Sequence, residues 1–355
     1  WASSDKTVSL TKKLALGQDY IKYYKSLKDM QNWPKNKIYN FQLQKLKKLL
    51  VHSYKNVPYY KELFDKNNIH PKDIKKLEDL QKIPITTKED LLKNFNKFFD
   101  KTKKYNFKYY RETAGTSGKA MKFYLDKNCI AANLACEQYF KKMMGCILGK
   151  DIVIHIPLAN QFVYFVKNAR LRFGHFTPLT NQVIFPLDHV DEEAFRKYIY
   201  YIKKFNIKHI EGYPSILFAF ARYLKKQDIS LNIKVAVSGS EMLYNFQRKF
   251  IEQVLGCEVF NKYASAESTL RGYECHEHKG IHLPPFGIAE INNNGFEGKG
   301  ELVTTNLINY IFPLIRYCTK DQVSLTQKKC RCARPFPRIL EVHGRTNDFI
   351  TLPNG

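Results

Sequence analysis

No stretch of this chain approaches the roughly 18 consecutive apolar residues that a membrane-spanning helix needs, and Trp1 to Lys6 lack the charged, then apolar, then small-residue order of a secretion signal. A cytoplasmic protein is therefore expected. There is no initiator methionine, which points to a processed or excised N-terminus. The GxxxxGK[ST] loop of P-loop enzymes is absent, and no Ser-His-Asp or Cys-His pattern points to nucleophilic catalysis. The eight cysteines of this 355-residue chain do not read as a disulfide framework, because the chain is large and the early ones sit in helix-like or strand-like apolar patterns. Acidic residues are scarce, 33 against 58 basic ones, for a formal net charge of +25. Such a charge favours acidic partners in general. The lysines are spread through nearly every segment, however, so they read as solvated basic faces, and no nucleic-acid partner is expected. No internal repeat or low-complexity tract occurs.

What is present is enough apolar residues, 44%, to form one large or two ordinary domains. Apolar positions between Phe41 and Tyr54 recur at three- and four-residue spacings and predict an amphipathic helix that Pro58 ends. From Asp151 onward, strand-like and helix-like segments alternate: 152–157, then a helix 192–205, a strand 208–212, a helix from Pro214 to about Lys225, a strand 233–237, a helix 241–255 and a strand 257–263. Alternation on this scale predicts an α/β fold of βαβ units, with a parallel sheet between flanking helices and ligands beyond the carboxyl ends of the strands. After Tyr263 helices thin out. Strands and turns follow, the turns at Asn292 to Gly295 and Gly298 to Gly300, and they predict a smaller β-rich subdomain.

The segment Thr113-Ala114-Gly115-Thr116-Ser117-Gly118-Lys119 joins an extended stretch 107–111 to a strand-like one 121–125. Its glycines let backbone N–H groups turn toward an anion, its hydroxyls donate further hydrogen bonds and Lys119 adds charge. A triphosphate needs those groups.

At this point the sequence resembles the adenylate-forming superfamily, whose signature loop is rich in Ser, Thr and Gly and ends in Gly-Lys. More narrowly it is similar to the phenylacetate-coenzyme A ligase branch, including its capsule-polysaccharide-biosynthesis relatives. Seven further segments match in order: 56–60 (Asn-Val-Pro-Tyr-Tyr), 83–91, Ser238-Gly239-Ser240-Glu241, 263–267, 300–305, 316–321 and 344–348, so that the likeness runs from about residue 45 to the last. The resemblance implies the large N-terminal domain of such an enzyme. The α/β core with its N-terminal helices would occupy residues 1–265, the β-rich subdomain 266–345, and 346–355 the hinge to an absent C-terminal domain.

The resemblance also assigns roles. Tyr263 would stack on adenine, with Ala264 and Ser265 beside it, and Glu267 would hold Mg²⁺ on the phosphates; an aromatic face and an oxygen ligand suit those tasks. Asp321 would accept hydrogen bonds from both ribose hydroxyls, Arg345 would contact the nucleotide, and Gly239, Ser240 and Glu241 would line the adenine pocket mainly with backbone. Three positions depart from the family pattern: Ala264 replaces a glycine, Ala266 a hydroxyl residue, and Lys320 a glycine. A lost hydroxyl removes a hydrogen bond typically worth about 1 kcal/mol.

Cys275, His276, His278 and His282 cluster after this segment, and Cys330 and Cys332 lie some fifty residues on. Three thiolates and one imidazole would close a tetrahedral Zn²⁺ site of structural type. Cys275, Cys330 and Cys332 are the expected thiolates. The resemblance favours His282, because Gly280-Ile281-His282 matches a Gly-x-His element of the branch, and His278 is the competing ligand. His155 and His209 sit in strand-like runs and read as core residues.

The implied chemistry has two steps. A carboxylate attacks the α-phosphate of Mg·ATP to give an acyl-adenylate and pyrophosphate, and coenzyme A or another thiol or amine then displaces AMP. Positioning and charge stabilisation dominate the first step. Because relatives carry an essential lysine beyond the hinge, the chain is expected to bind nucleotide but adenylate weakly. Two other classes are an adenylyl transferase acting on a small molecule and a basic, zinc-stapled nucleic-acid binder. A homodimer is compatible with the sequence.

Overall fold

Pro58, expected to stop a helix, is also the first residue of the next one. The computed structural model describes residues 17–102, 110–112, 121–148, 150–156, 175–177, 181–185 and 191–345. Helix α1 spans Gln18–Met30, α2 Lys35–Asn56 and α3 Pro58–Lys66. Only Val57 breaks the run, extended at φ −115° and ψ 107°, because the residue before a proline is pushed out of the helical region, while proline itself suits the first helical position. The expected helix 41–54 is thus the inner part of a longer one, whose Leu46, Leu49 and Leu50 are fully buried.

The short helix α4, Lys88–Asn94, is fixed by a capping box: the Thr87 hydroxyl accepts from the Asp90 N–H, and the Asp90 carboxylate accepts from the Thr87 N–H. Just before it, Thr86 N donates to the Arg316 carbonyl at 2.8 Å and Cys318 N donates to the Thr86 carbonyl at 3.0 Å. These bonds hold the start of α4 against the strand that follows Arg316.

Strands β1 (Tyr110–Glu112) and β2 (Lys122–Tyr124) form an antiparallel pair. The phosphate-loop candidates Thr113, Gly115, Thr116, Ser117, Gly118 and Lys119 connect them and lie outside the described residues. Helix α5, Lys127–Met143, follows, capped by Asp126.

Among the described residues the main sheet has twelve strands. Its parallel part contains β3 (Val153–His155), β5 (Gln182–Ile184), β6 (His209–Gly212), β7 (Val235–Gly239) and β8 (Glu258–Ala264), with β4 (His175–Thr177) antiparallel at one edge. Antiparallel strands continue it on the other side: β9 (Arg271–Glu274), β10 (Ile281–His282), β14 (Arg338–Arg345), β13 (Tyr317–Thr326), β12 (Gly298–Asn306) and β11 (Gly287–Ile291). Because β9 pairs with β8, one sheet runs across residues 265–266.

Alternate residues send their side chains to opposite faces. Ile154, Ile210, Ala236 and Val259 pack under helices α6 (Glu192–Lys204), α7 (Pro214–Lys226) and α8 (Asn245–Leu255). Val235, Val237 and Phe260 pack under α1 and α5. The α/β expectation holds in this arrangement of parallel strands between two helical layers. No helix among the described residues is long and apolar enough to cross a membrane.

Two expected boundaries move. Helix α8 starts at Asn245 instead of Glu241, because Tyr244 is extended and the Glu241 carboxylate accepts from Ser215 N at the start of α7, 3.3 Å away. Gly298 to Gly300, expected as a turn, are the first residues of β12 and pair with Leu325 to Val323. The chain reverses between Asn292 and Glu297, where Asn293 and Gly295 take positive φ of 64° and 69°.

Candidate functional site

Strands β8, β13 and β14 bring three of the expected nucleotide residues together. The Tyr263 hydroxyl donates to Asp321 Oδ2 at 2.6 Å, and Arg345 Nε donates to Asp321 Oδ1 at 3.2 Å. Asp321 and Arg345 face each other in the β13–β14 register, so the ion pair is built into the strand pairing. Burial, and then the Asp321 charge, raise the Tyr263 phenol well above its ordinary range, which keeps it a hydrogen-bond donor. Burial opposes the Arg345 charge, but Asp321 and Glu267 more than offset this and raise its pKa.

Beyond β8 the chain folds back within a few residues. Ser268 N donates to the Ser265 carbonyl at 3.1 Å, Ser268 takes φ 55°, and the Ser265 hydroxyl accepts from Thr269 N at 3.2 Å. This turn sets Glu267 in the protein, only 9% exposed. Burial raises the Glu267 pKa, Asp321 raises it further, and Arg345 and Lys88 pull it down. Lys88 opens α4, and its charge at this site was not anticipated from the sequence. The Thr86 bonds to the start of β13 are what carry it there. Glu267, Asp321, Arg345 and Tyr263 therefore form one electrostatic group with Ala264 and Ser265 in its frame.

Gly239 ends β7 next to Lys262 on β8. A Cβ there would come within 2.5 Å of Lys262 Cγ, so the lysine stem covers this glycine and a larger residue would displace it. Ser240 follows with φ 70°, and Glu241 turns away to the start of α7.

The four expected metal ligands converge. Cys275 Sγ lies 3.8 Å from Cys330 Sγ, Cys332 Sγ lies 3.4 Å from His282 Nε2, and all four donor atoms are within 4.8 Å of one another. Strand β10 holds His282 between β9, which ends beside Cys275, and β14, which begins after Cys332. Burial, with Arg334 and Arg338 nearby, pushes the His282 imidazole down to about 3, so it is neutral and its lone pair is available. Burial pushes the Cys275 thiol up to about 12. His278, the competing ligand, is directed elsewhere: its ring nitrogens lie 2.9 Å from Glu258 and 3.2 Å from Glu274. His209 pairs with Asp151 at 3.3 Å and His155 with Glu211 at 3.5 Å. Among the described residues, which include all eight cysteines, none is in a disulfide.

No protein-family model matches the chain. Protein CapK of Staphylococcus aureus is 28% identical over 350 residues, spanning 97% of this chain and 75% of that protein. The phenylacetate-coenzyme A ligase of Thermus thermophilus is 26% identical over 337 residues, 91% of this chain and 74% of the ligase. A crystal structure of 2-hydroxyisobutyryl-CoA ligase in the postadenylation state, 16% identical, superposes with a TM-score of 0.74 over 91% of this chain and 71% of its own, and so shares the fold. In sequence the chain is thus similar to CapK and to phenylacetate-coenzyme A ligases over most of its length, and its fold is shared with an adenylate-forming CoA ligase.

The chain holds one further set of charges that the sequence did not single out. Glu137 and Lys141 of α5 meet Glu211 of β6, Lys262 of β8 and Arg271 of β9 inside the protein. Lys141 Nζ lies 2.6 Å from Glu137 and 3.2 Å from Glu211, Lys262 pairs with Glu211, and Arg271 is 3.7 Å from Glu137. Each of these residues reads as an ordinary surface charge in its own segment; only the packing of α5 on the sheet unites them. Burial works against the Glu137 charge, but Lys141 and the other cations bring its carboxyl down to about 2. Lys141 and Lys262 likewise hold the Glu211 carboxyl well below its ordinary range against the cost of burial.

Proposed function

We propose that this chain activates a carboxylic acid with Mg·ATP, forming an acyl-adenylate and pyrophosphate, and passes the acyl group to coenzyme A. The observation that carries this reading is the convergence of Tyr263, Asp321 and Arg345 beside the buried Glu267. Asp321 offers two carboxylate oxygens to ribose hydroxyls, the Tyr263 ring offers a face to adenine, and Arg345 holds Asp321 while supplying positive charge. Gly239, Ser240 and Glu241 bring backbone to the adenine edge. Glu267 is the oxygen ligand for Mg²⁺ on the phosphates, which would also stabilise its ionised form. The hydroxyls and N–H groups of 113–118, with Lys119, would cradle the β- and γ-phosphates.

A structural zinc fits Cys275, His282, Cys330 and Cys332. With Zn–S of about 2.3 Å and Zn–N of about 2.0 Å, a tetrahedral site separates its sulfurs by about 3.8 Å and a sulfur from a nitrogen by about 3.5 Å. The separations of 3.8 and 3.4 Å between these donors agree. Bound there, the metal would cross-link β9, β10 and the start of β14, and so support Asp321 and Arg345 through the β13–β14 pairing.

Acid-dependent exchange of labelled pyrophosphate into ATP tests the reading, followed by thioester formation when coenzyme A is added. Exchange with one acid and its thioester as product is expected. Stable incorporation of AMP into the acceptor would instead mark an adenylyl transferase, and nucleotide-independent binding of RNA or DNA would overturn the ligase reading.

A further inference from the structure

A second group of metal-ligating side chains lies apart from the Cys275, His282, Cys330 and Cys332 cluster. Cys146, Asp151 and His209 bring a thiol, a carboxylate and an imidazole together, with their donor atoms all within 4.8 Å of one another. Cys146 and Asp151 belong to the stretch that joins α5 to β3, and His209 is the first residue of β6. His209 faces Val153, the first residue of β3, in the strand register. The group therefore stands at the amino ends of the parallel strands, on the opposite edge of the sheet from Gly239 and Tyr263, and is separate from any Mg²⁺ on the nucleotide.

Backbone hydrogen bonds fix two of the three donors. Cys146 N donates to the Lys141 carbonyl at 3.0 Å, which hangs the cysteine from the last turn of α5. Asp151 N donates to the Ile147 carbonyl at 2.9 Å, Ile147 N donates to Asp151 Oδ2 at 2.7 Å, and the Asn181 amide donates to the Asp151 carbonyl at 2.6 Å. Asp151 Oδ2 lies 3.3 Å from His209 Nε2, longer than the usual N–H···O distance of about 2.9–3.0 Å. A tetrahedral ion with bonds of about 2.0 Å to nitrogen and to oxygen separates those two atoms by about 3.3 Å. The Ile147 N–H then serves as the outer hydrogen bond that orients a ligating carboxylate.

The surroundings suit a metal. Cys146 and His209 are 5% and 6% exposed, and Leu148, Val153 and Tyr24 pack with the cysteine. Lys141 is turned to Glu137 and Glu211. Burial lowers the His209 pKa, Asp151 opposes this, and Lys141 and Lys234 lower it further, so the imidazole is in its neutral, ligating form.

We propose that Cys146, Asp151 and His209 bind a second divalent cation of the zinc type. Thiolate and carboxylate offset its two charges, and the pairing of thiolate with imidazole selects zinc over magnesium or calcium. The Cys146 thiol releases its proton to water on binding. Three protein ligands leave a fourth position for water. With one ligand fewer, this site holds its ion less tightly than the four-ligand cluster, so the purified chain keeps one zinc and takes up the second when zinc is added. Bound there, the ion ties the α5–β3 connection to the start of β6.

Calorimetric titration of the tag-free chain with Zn²⁺, its metal content measured beforehand, is the test. Wild type should take up one equivalent more than Cys146→Ala or Asp151→Asn, each of which should weaken this binding by more than the roughly 10- to 100-fold that loss of an outer hydrogen bond costs. Asp151→Asn keeps an oxygen for Ile147 N, and the zinc it retains at the four-ligand cluster reports an intact fold. Titration with Co²⁺ of the chain already holding one zinc should give a thiolate-to-cobalt absorption that Cys146→Ala lacks. Equal uptake by wild type and both variants would mark the additional ion as adventitious. No uptake beyond the four-ligand cluster would leave Asp151 and His209 a plain hydrogen-bonded pair. Either result overturns the proposal, and neither bears on the ligase reading.

Discussion

The hydroxyl of Tyr263 donates to the Asp321 carboxylate at 2.6 Å, and the other Asp321 oxygen accepts from Arg345. The ring proposed to meet adenine and the carboxylate proposed to meet ribose are thus one hydrogen-bonded unit, set by β8 and β13 before any ligand arrives. Tyr263→Phe keeps the ring and removes one hydrogen bond, typically worth about 1 kcal/mol. Calorimetry should show AMP affinity reduced by less than about tenfold. Tyr263→Ala also removes base stacking, worth about 1–3 kcal/mol, and should weaken AMP by a larger factor.

The Cys275, His282, Cys330 and Cys332 cluster makes a prediction that separates two histidines. Metal analysis of the purified chain should give one zinc per molecule, and His282→Ala or Cys330→Ser should lower that value sharply together with thermal stability. His278→Ala should retain the zinc, because its ring is engaged by Glu258 and Glu274. Equal zinc loss from the two histidine variants would contradict the assignment.

Glu290 lies on β11 with Arg316 Nε 3.4 Å away, and burial pushes its carboxyl from 4.5 up to about 7. The folded chain therefore holds this proton more tightly than the unfolded chain. Its contribution to stability is fully present below pH 4.5 and is lost as pH rises through about 7. Denaturant titrations of Glu290→Gln should lack this component, on the order of 2–3 kcal/mol across that window, and should gain relative to wild type as pH rises. An unchanged pH profile would show that Arg316 keeps Glu290 ionised.

Gly272 on β9 approaches the neighbouring strand so closely that a Cβ would stand 2.5 Å from the His282 carbonyl oxygen. That oxygen is backbone and cannot rotate away. Gly272→Ala should destabilise the fold by about 1–3 kcal/mol and loosen the metal cluster, seen as faster zinc release to a chelator. Gly145→Ala, with nothing within 4 Å of its Cβ but a φ of +87°, serves as a control for backbone strain without a clash at the cluster.

The parallel half of the sheet was legible because periodicity there is strong: apolar strands flanked by the α6, α7 and α8 patterns leave few alternatives. The candidate nucleotide segments and the candidate metal ligands stood out by residue type and order, although Cys275 and Cys330 are 55 positions apart and the pairing of β9, β10 and β14 is what joins them. Other features depended on tertiary contacts that no local pattern encodes. Helix α8 begins late because Glu241 bonds to Ser215, and Gly298 enters a strand because Leu325 pairs with it. The ionic group of Glu137, Lys141, Glu211, Lys262 and Arg271 was hidden most completely, since each member lies in a different setting and charge alone reads as solvent exposure.

The central claim is that Asp321 belongs to a nucleotide site. Titration of the wild-type chain and of Asp321→Ala with AMP and with Mg·ATP, by calorimetry with zinc content and folding monitored, tests it most directly. Binding by wild type and a loss of about tenfold or more in the variant, the cost of removing a charged hydrogen-bonding partner, is the predicted result. Equal affinity in the two proteins, or no binding by a folded, zinc-replete wild-type chain, would contradict it.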